Sequence, residues 1–281
     1  MLNESIASTT KKVYSKKGML QDFNYHTHTY RCGHANGTDE DYVQAAIKAG
    51  YKILGFSDHG PYKHIPSPGL RMDWEQLDDY IESLTALKEK YKDQIEIHIG
   101  LETEYYSEYH DEKLELLDKV EYLILGQHTA LPNGEGTFFR YNTDEQLMKY
   151  AEDVCKGLEA GLYTYLAHPD VYIYHQNTFD ETCQKVARIV IQKAAETDTP
   201  VEINVHGVLR GRQPFPNGTH QYWYPHKDFW KIAAEYPIRC IYGIDAHDPK
   251  QLLDLESFQA AKAELEDLGL TFINEPLTIR R

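Results

Sequence analysis

Histidines recur at one kind of position in this chain, the ends of short apolar segments with a strand pattern. The sequence has 14 histidines among 281 residues. Those at predicted strand ends, with the carboxylates near them, are His26, His28, His59, Glu102, His128, His168, Asp245 and His247, and His34 lies in the loop after the first strand. Imidazole and carboxylate groups together suit zinc, manganese or iron. These residues therefore predict a metal centre.

The spacing inside two motifs places pairs of ligands on one side of a strand. Side chains of a strand repeat with a period of two, so His26 and His28 point the same way, as do Asp245 and His247. A single histidine is more often a satisfied core or surface residue than a ligand. Ligand types at the ends of six of the seven predicted strands are hard to explain in that way, so the prediction depends on the whole set.

Strand and helix patterns alternate around these motifs. Predicted strands cover 23–28, 52–59, 95–105, 122–128, 163–170, 200–205 and 239–247. Helical patterns fill the gaps, and one of them starts after a capping Thr143 and ends at Gly161. Seven β-then-α units predict a parallel sheet. A closed barrel of seven or eight strands is the simplest architecture, and an open doubly wound sheet is the alternative. All strands of a parallel barrel end on one face, where the predicted ligands would meet.

Seven motifs carry the candidate ligands or flank them. They are NYHTHTYRCGHA (24–35), GFSDH (55–59), GLETEY (100–105), LGQH (125–128), LAHPD (166–170), EIN (202–204) and GIDAHDP (243–249). In this order they closely resemble the motifs of the polymerase-and-histidinol-phosphatase (PHP) family, over roughly residues 20–250. The resemblance implies an α/β fold, a distorted (β/α)7 TIM-like barrel, with three divalent metal ions (Zn, Mn or Fe) bound at the C-terminal ends of the strands.

The same resemblance implies how the nine ligands are shared. One ion would take His26, His28, Glu102 and Asp245, a second would share Glu102 and add His128 and His168, and a third would take His34, His59 and His247. Glu102, Asp245 and His247 are the members also expected to act in catalysis. Cys32 lies among these residues, and we interpret it as a spectator thiol rather than a ligand.

Several further residues are candidates for binding the substrate. A guanidinium group suits phosphate oxygens, and the resemblance implies an arginine shortly after the EIN segment, which favours Arg210 over Arg212. Lys63 and Arg71, after the second strand, are weaker candidates. His206 follows the sixth strand and could line the pocket. Glu104 could lie behind the ligands, touch substrate, or be plainly solvated.

The reaction that the resemblance implies is hydrolysis of a phosphate monoester, with L-histidinol phosphate as the substrate in histidine biosynthesis. A hydroxide bridging two metal ions would attack phosphorus in line with the leaving alcohol. Asp245, His206 or a metal-bound water could protonate that alcohol.

Three alternatives stay open. The chain could be a PHP-family phosphoesterase acting on another small phosphate or a nucleotide. It could be an amidohydrolase-like enzyme, although such sites usually bridge their metals with a lysine where this chain has Glu102. It could also be a metal-binding module without activity, but nine ligands shared by three metals leave open coordination positions, which favours catalysis.

Composition narrows the partners and the location. The net charge of −15 and the lack of a basic stripe argue against long nucleic acids, while bound metal ions could still attract a small anion. No apolar run approaches the ~20 residues of a membrane span. Residues 1–18 read as a polar tail rather than a secretory signal, and 19–281 as a single domain. The four cysteines are scattered, which predicts reduced thiols in the cytoplasm.

Overall fold

The computed structural model describes residues 21–279, so the tail predicted at 1–18 lies outside the described residues. The strands are β1 (Phe23–Asn24), β2 (Ile53–His59), β3 (Glu96–Thr103), β4 (Tyr122–Leu125), β5 (Val201–Asn204), β6 (Gln213–Pro214), β7 (His220–Gln221), β8 (Arg239–Gly243) and β9 (Thr271–Phe272). The α-helices are α1 (Asp39–Ala49), α2 (Leu77–Tyr91), α3 (His110–Lys119), α4 (Asp144–Ala160), α5 (Glu181–Glu196), α6 (Lys227–Ala233) and α7 (Leu255–Leu265). Among the described helices, none has the length and apolar character needed to cross a membrane.

A curled parallel sheet forms the centre of this α/β fold. One ladder runs β1-β2-β3-β4 and a second runs β5-β8-β9, and all of these pairs are parallel. Isolated parallel bridges link the two ladders on both sides: Leu166 pairs with Leu125 and with Val201, and Thr27 pairs with Ala246. The strands of the two ladders therefore send their C-terminal ends in one direction, while β6 and β7 form a separate antiparallel pair.

The fifth predicted strand, at 163–170, is shorter than the sequence suggests. Only Leu166 joins the ladder there, through the two isolated bridges. Two residues later the backbone of His168 turns to a φ of 27°, and Pro169, which has no N–H, cannot donate to a ladder. The chain therefore leaves the sheet at His168, directly after the strand position of Leu166.

Capping residues fix where two of the helices begin and end. Thr38 and Thr143 each form a capping box, with Asp41 and Gln146 respectively, so backbone N–H groups at these helix starts are satisfied. Helix α4 runs up to Gly161, which takes a left-handed conformation, as its predicted boundary requires. The helical patterns around these caps are confirmed.

Tyrosine side chains fill the interior of the curled sheet below the strand ends. The Tyr122 hydroxyl donates to the carbonyl oxygens of Tyr25 (2.8 Å) and Phe56 (2.9 Å). Its ring occupies space that opens only because Gly100 and Gly55 have no side chain: a Cβ at these positions would lie 2.4 Å and 2.3 Å from Tyr122 atoms. A packed floor of this kind holds the strands at fixed spacing beneath the predicted ligands.

Candidate metal centre

All nine predicted ligands meet at the C-terminal ends of the strands. Parallel pairing sets His59, the last residue of β2, directly beside Glu102 of β3. Above them is a cavity of about 410 Å³ whose lining includes His34, His59, Glu102, His128, His168, His206, Arg210, Asp245 and His247. The walls of this cavity come from stretches far apart in the chain, which only the fold brings together.

One carboxylate oxygen of Glu102 faces a pair of histidines. Its Oε1 lies 3.1 Å from Nε2 of His128 and 2.7 Å from Nε2 of His168, and the two imidazole nitrogens are 3.2 Å apart. Gly126 makes this approach possible, because a Cβ there would lie 2.0 Å from the same oxygen. The glycine of the LGQH motif is thus required by the position of Glu102.

The other oxygen of Glu102 faces a different set. Its Oε2 lies 3.5 Å from Nε2 of His26, 3.6 Å from Nε2 of His28 and 3.2 Å from Nδ1 of His59. The carboxylate of Asp245 approaches the same two imidazoles, with Oδ1 at 2.9 Å from His28 and 3.5 Å from His26. Glu102 therefore has the geometry of a bridge between two groups of donor atoms.

Four buried donor atoms at the centre of this cluster have no hydrogen-bond partner. They are Nε2 of His26, Nε2 of His28, Oε2 of Glu102 and Oδ1 of Asp245. Buried polar atoms in proteins are nearly always paired, because leaving one unpaired costs free energy. Two imidazole nitrogens and two carboxylate oxygens that converge in this way fit a divalent metal ion, whose positive charge would satisfy all four.

The third predicted group lies nearer the solvent. Nε2 of His34 is 3.2 Å from Nε2 of His247, and ligand atoms of these two residues and His59 all lie within 4.8 Å of one another. Other compact groups mix members of the predicted sets, such as His59, Glu102 and His128, or His26, His168 and Asp245. The nine side chains thus form one continuous array.

A second layer of acidic side chains orients three of the histidines. The buried pairs are Glu202 with Nδ1 of His26 (2.7 Å), Asp58 with Nδ1 of His28 (3.3 Å) and Glu104 with Nδ1 of His128 (3.1 Å). A carboxylate on Nδ1 leaves Nε2 as the metal-binding atom and fixes the ring plane. Glu202 and Asp58 were not predicted as site residues, although both stand inside motifs that carried the family resemblance.

The carboxylates and the histidines shift each other's pKa values. Burial raises the pKa of Glu102, but the histidines around it outweigh burial and hold its pKa well below the usual value. Burial alone would lower the pKa of His128, but Glu102 and Glu104 outweigh burial and raise this pKa to about 10. In contrast, burial and the neighbouring His28 lower the pKa values of His34 and His247. The cluster therefore attracts positive charge most strongly around Glu102.

Two of the nine residues have a strained backbone. His168 has a φ of 27° and Asp245 a φ of 53°, and such positive values cost a non-glycine residue about 1–3 kcal/mol. Backbone strain of this kind persists only where surrounding contacts enforce it. The strain at these two positions redirects the side chains toward the cluster at the point where each chain segment leaves the sheet.

A family model for the PHP domain matches residues 24–206, which is more than half of the chain and includes six of the seven motifs. The chain belongs to the PHP domain family. A protein of Deinococcus radiodurans named as a probable histidinol-phosphatase is 27% identical over 260 residues, covering 87% of this chain and 92% of the relative. The histidinol-phosphatase of Bacillus subtilis is 30% identical over 151 residues, covering 50% of this chain and 56% of the relative.

A solved structure with a similar fold is the histidinol phosphate phosphatase of Lactococcus lactis, determined with zinc, L-histidinol and phosphate. It superposes with a TM-score of 0.69 at 19% identity, over 89% of this chain and 95% of the other. At that identity the likeness concerns the fold, and it agrees with the curled parallel sheet described above.

Two of the candidate substrate-binding residues of this PHP domain lie at the cavity. Arg210 lines it and ends the 3-10 helix His206–Arg210, and no described residue forms an ion pair with it. His206 also lines the cavity, and its Nδ1 lies 3.1 Å from the carbonyl oxygen of Asp245. A carbonyl only accepts, so Nδ1 carries the proton.

The other cationic candidates are engaged elsewhere. Arg212 pairs with Glu264 and donates to the carbonyl oxygen of His220 at 3.0 Å, and Lys63 pairs with Glu115. Neither lines the cavity, so the structure offers no support for substrate binding by Arg212 or Lys63, which stays a prediction. Each loop is fixed by a distant acidic residue that local sequence does not reveal.

Arg71 and Glu104 belong behind the ligands rather than in the cavity. Arg71 is buried and lies 3.2 Å from Oε1 of Glu104, the same oxygen that faces His128. The structure thus favours, for Glu104, the interpretation that it supports a ligand, and Arg71 is not available to a phosphate.

Cys32 is buried, and its thiol donates to the carbonyl oxygen of Thr29 at 3.1 Å, although it also lies close to His28 and His247. Burial raises the pKa of Cys32, which fits a spectator thiol.

Proposed function

We propose that this PHP domain is a metal-dependent phosphomonoesterase that hydrolyses L-histidinol phosphate to L-histidinol and inorganic phosphate. The observation that carries the proposal is the convergence of histidines on both oxygens of Glu102, below an open cavity that Arg210 also lines. The names of its relatives and the ligands of the Lactococcus lactis enzyme support the choice of substrate.

We also propose three divalent ions, with zinc as the first candidate. His26, His28, Glu102 and Asp245 would hold one, Glu102, His128 and His168 a second, and His34, His59 and His247 a third. The four unpaired atoms support the first site most directly. When bound, such ions acidify water to supply a nucleophile at neutral pH and balance the charge on phosphoryl oxygens.

The side chains of this chain would orient the substrate. Arg210, which lines the cavity, can approach a phosphoryl group and offer it two parallel N–H donors. His206 carries its proton on Nδ1, bound to the carbonyl oxygen of Asp245, and burial lowers its pKa, so a neutral ring leaves Nε2 as an acceptor. His206 is therefore suited to accept a hydrogen bond from the substrate rather than to protonate its leaving oxygen.

The architecture we propose around this site is a distorted barrel of seven β/α units, formed by a single domain of residues 19–281. The bridges at Leu166 and between Thr27 and Ala246 support closure. The four cysteines are all free thiols, which supports a cytoplasmic location.

The test of the proposed function is phosphate release before and after metals are removed and restored. The substrates would be L-histidinol phosphate, p-nitrophenyl phosphate and several nucleotides, and His26→Ala would be the inactive control. We expect metal-dependent turnover that is highest with L-histidinol phosphate. A preference for another monoester would overturn the substrate, and no release from any phosphate by the metal-loaded protein would overturn the phosphatase.

The arginine has its own matched pair of variants. Arg210→Lys keeps the charge but loses the two-pronged contact, so kcat/KM should fall roughly 10- to 100-fold, as expected for loss of a charged hydrogen bond. Arg212→Lys, two residues on and paired with Glu264, should leave kcat/KM within about twofold, since it reaches no substrate. Equal effects of the two variants would contradict the assignment.

A further inference from the structure

The cavity has an aromatic wall that the metal ligands and Arg210 do not explain. Phe139 and Tyr224 line the cavity, and Tyr174 and Trp223 pack directly behind them. We propose that this wall, with Phe139 as its contacting member, is the subsite for the ring of the leaving alcohol, which it binds by stacking. This inference rests on the proposed phosphatase function and deepens it, because it assigns the recognition of the alcohol.

Phe139 is held in place by its neighbours in the chain. Phe138 is buried in the core, where its ring meets Tyr150 edge-on at 5.1 Å, and its backbone N–H donates to the carbonyl oxygen of His128 at 2.8 Å. Phe139 stays half-buried, with its ring stacked on the imidazole of His128 at 5.6 Å and an angle of 18°. One phenylalanine thus anchors the loop, and the next presents its ring beside a metal ligand.

The second layer makes the wall rigid. The ring of Tyr174 meets Phe139 edge-on at 5.8 Å and lies 4.5 Å from the ring of Trp223. Such aromatic contacts fix the rings relative to one another. Tyr174 also has the guanidinium of Arg210 6.0 Å from its ring centre. The group that would bind phosphate is therefore adjacent to the aromatic wall, and both line one cavity.

The acidic residues of the cavity point to the same mode of recognition. Among the described residues that line it, the only carboxylates are Glu102 and Asp245, and both are already surrounded by histidines. A cationic or polar alcohol therefore finds no separate acidic side chain in this lining. A flat ring with partial or full positive charge, such as an imidazole, can instead gain stacking and cation–π contacts from Phe139.

The experiment compares two phosphate esters and two variants. L-Histidinol phosphate has a ring and an amine, whereas phosphoethanolamine has the amine without a ring. For Phe139→Leu, which keeps an apolar side chain but removes the ring, we expect kcat/KM for L-histidinol phosphate to fall about three- to tenfold, mainly through KM. Hydrolysis of phosphoethanolamine should change less than about twofold, since it offers nothing to stack. Inhibition by the product L-histidinol should weaken by the same factor as KM rises.

Tyr141→Leu is the matched control, because Tyr141 is an aromatic residue of the same loop that is 61% exposed and does not line the cavity. It should leave both substrates and the inhibition unchanged. Equal losses on both esters in Phe139→Leu, or no loss with L-histidinol phosphate, would overturn the aromatic subsite while phosphate release by the unmodified protein still supports the phosphatase. If the unmodified, metal-loaded protein releases phosphate from neither ester, the phosphatase proposal itself fails, and the subsite with it.

Discussion

The histidine cluster has an inner side, which contains His26, His28 and His128 around Glu102, and an outer side, which contains His34 and His247. The two sides are supported in different ways. On the inner side, His26 and His28 are fully buried and their Nδ1 atoms face the carboxylates of Glu202 and Asp58. On the outer side, the Nδ1 atoms of His34 and His247 face backbone carbonyl oxygens, of Cys32 and Asp245 respectively. The carboxylate of Asp245 also lies 3.3 Å from Nδ1 of His247, but it is shared with His26 and His28. Both kinds of partner fix a ring orientation, but only the carboxylate adds a negative charge.

This difference changes the pKa values in opposite directions. Burial lowers the pKa of His26, yet Glu202, Asp245 and Glu102 outweigh it and hold the pKa well above the usual value. For His247, burial and the proximity of His28 lower the pKa well below the usual value. The inner side is therefore built to hold positive charge, whereas the outer side offers neutral donor atoms next to the cavity.

Glu102 joins the two sides, so its replacement should have the largest effect. Glu102→Gln keeps the shape but removes the charge shared by His26, His59 and His168. Because metal-assisted charge stabilisation is worth several kcal/mol, we expect kcat/KM to fall on the order of a thousandfold. Elemental analysis should show loss of metal from both sides. Glu108→Gln, an exposed glutamate on the loop after β3, is the control, and a Glu102→Gln protein with full metal content and activity would show that the two sides are independent.

The meeting of the nine predicted ligands could be anticipated from the sequence, because it depends on side-chain alternation and on the parallel order of the strands. Alternation along a strand sets His26 and His28 on one side, and the parallel order of the strands brings the ends of β2 and β3 together. The glycines of two motifs, in contrast, are explained only by the fold, since a Cβ at Gly243 would lie 1.6 Å from Glu202 and one at Gly126 would lie 2.0 Å from Glu102.

What the sequence could not predict depends on contacts between distant segments. Arg212 faces away from the cavity because Glu264, which is 52 residues away in the chain, pairs with it. Arg71 is drawn inward by Glu104 instead of reaching substrate. The predicted strand at 163–170 likewise shrank to Leu166, because the local apolar pattern does not reveal the turn at His168. The position of a long side chain on a loop depends on the residue that it pairs with, and the tertiary fold determines which residue that is.

A smaller effect should follow when the inner side loses one of its supporting charges. In Glu202→Gln, the amide can still accept from Nδ1 of His26, but its NH2 group cannot accept the hydrogen bonds that the N–H of His168 and the amide of Asn204 now donate to Oε2. Removing such a partner typically costs 10- to 100-fold in metal affinity or activity. We expect the inner ion to be lost at a chelator concentration that leaves it in place in the unmodified protein. Unchanged metal retention would mean that orientation, rather than charge, is what Glu202 contributes.

The smallest effect we predict is a difference between the two sides in the number of protons that their histidines release when zinc binds. The pKa of His128 is raised to about 10, so without metal its ring carries a proton at neutral pH, and a binding ion must displace that proton. His34 has a lowered pKa and is already neutral, so it has none to release. Proton release should therefore decrease, and zinc affinity should increase, as pH rises toward the pKa of His128. Zinc calorimetry in buffers of different ionisation enthalpy should show about one proton fewer for His128→Gln and no change for His34→Gln. An equal change in the two variants would mean that the inner and outer histidines carry the same charge, and the distinction between charged and neutral sides would not hold.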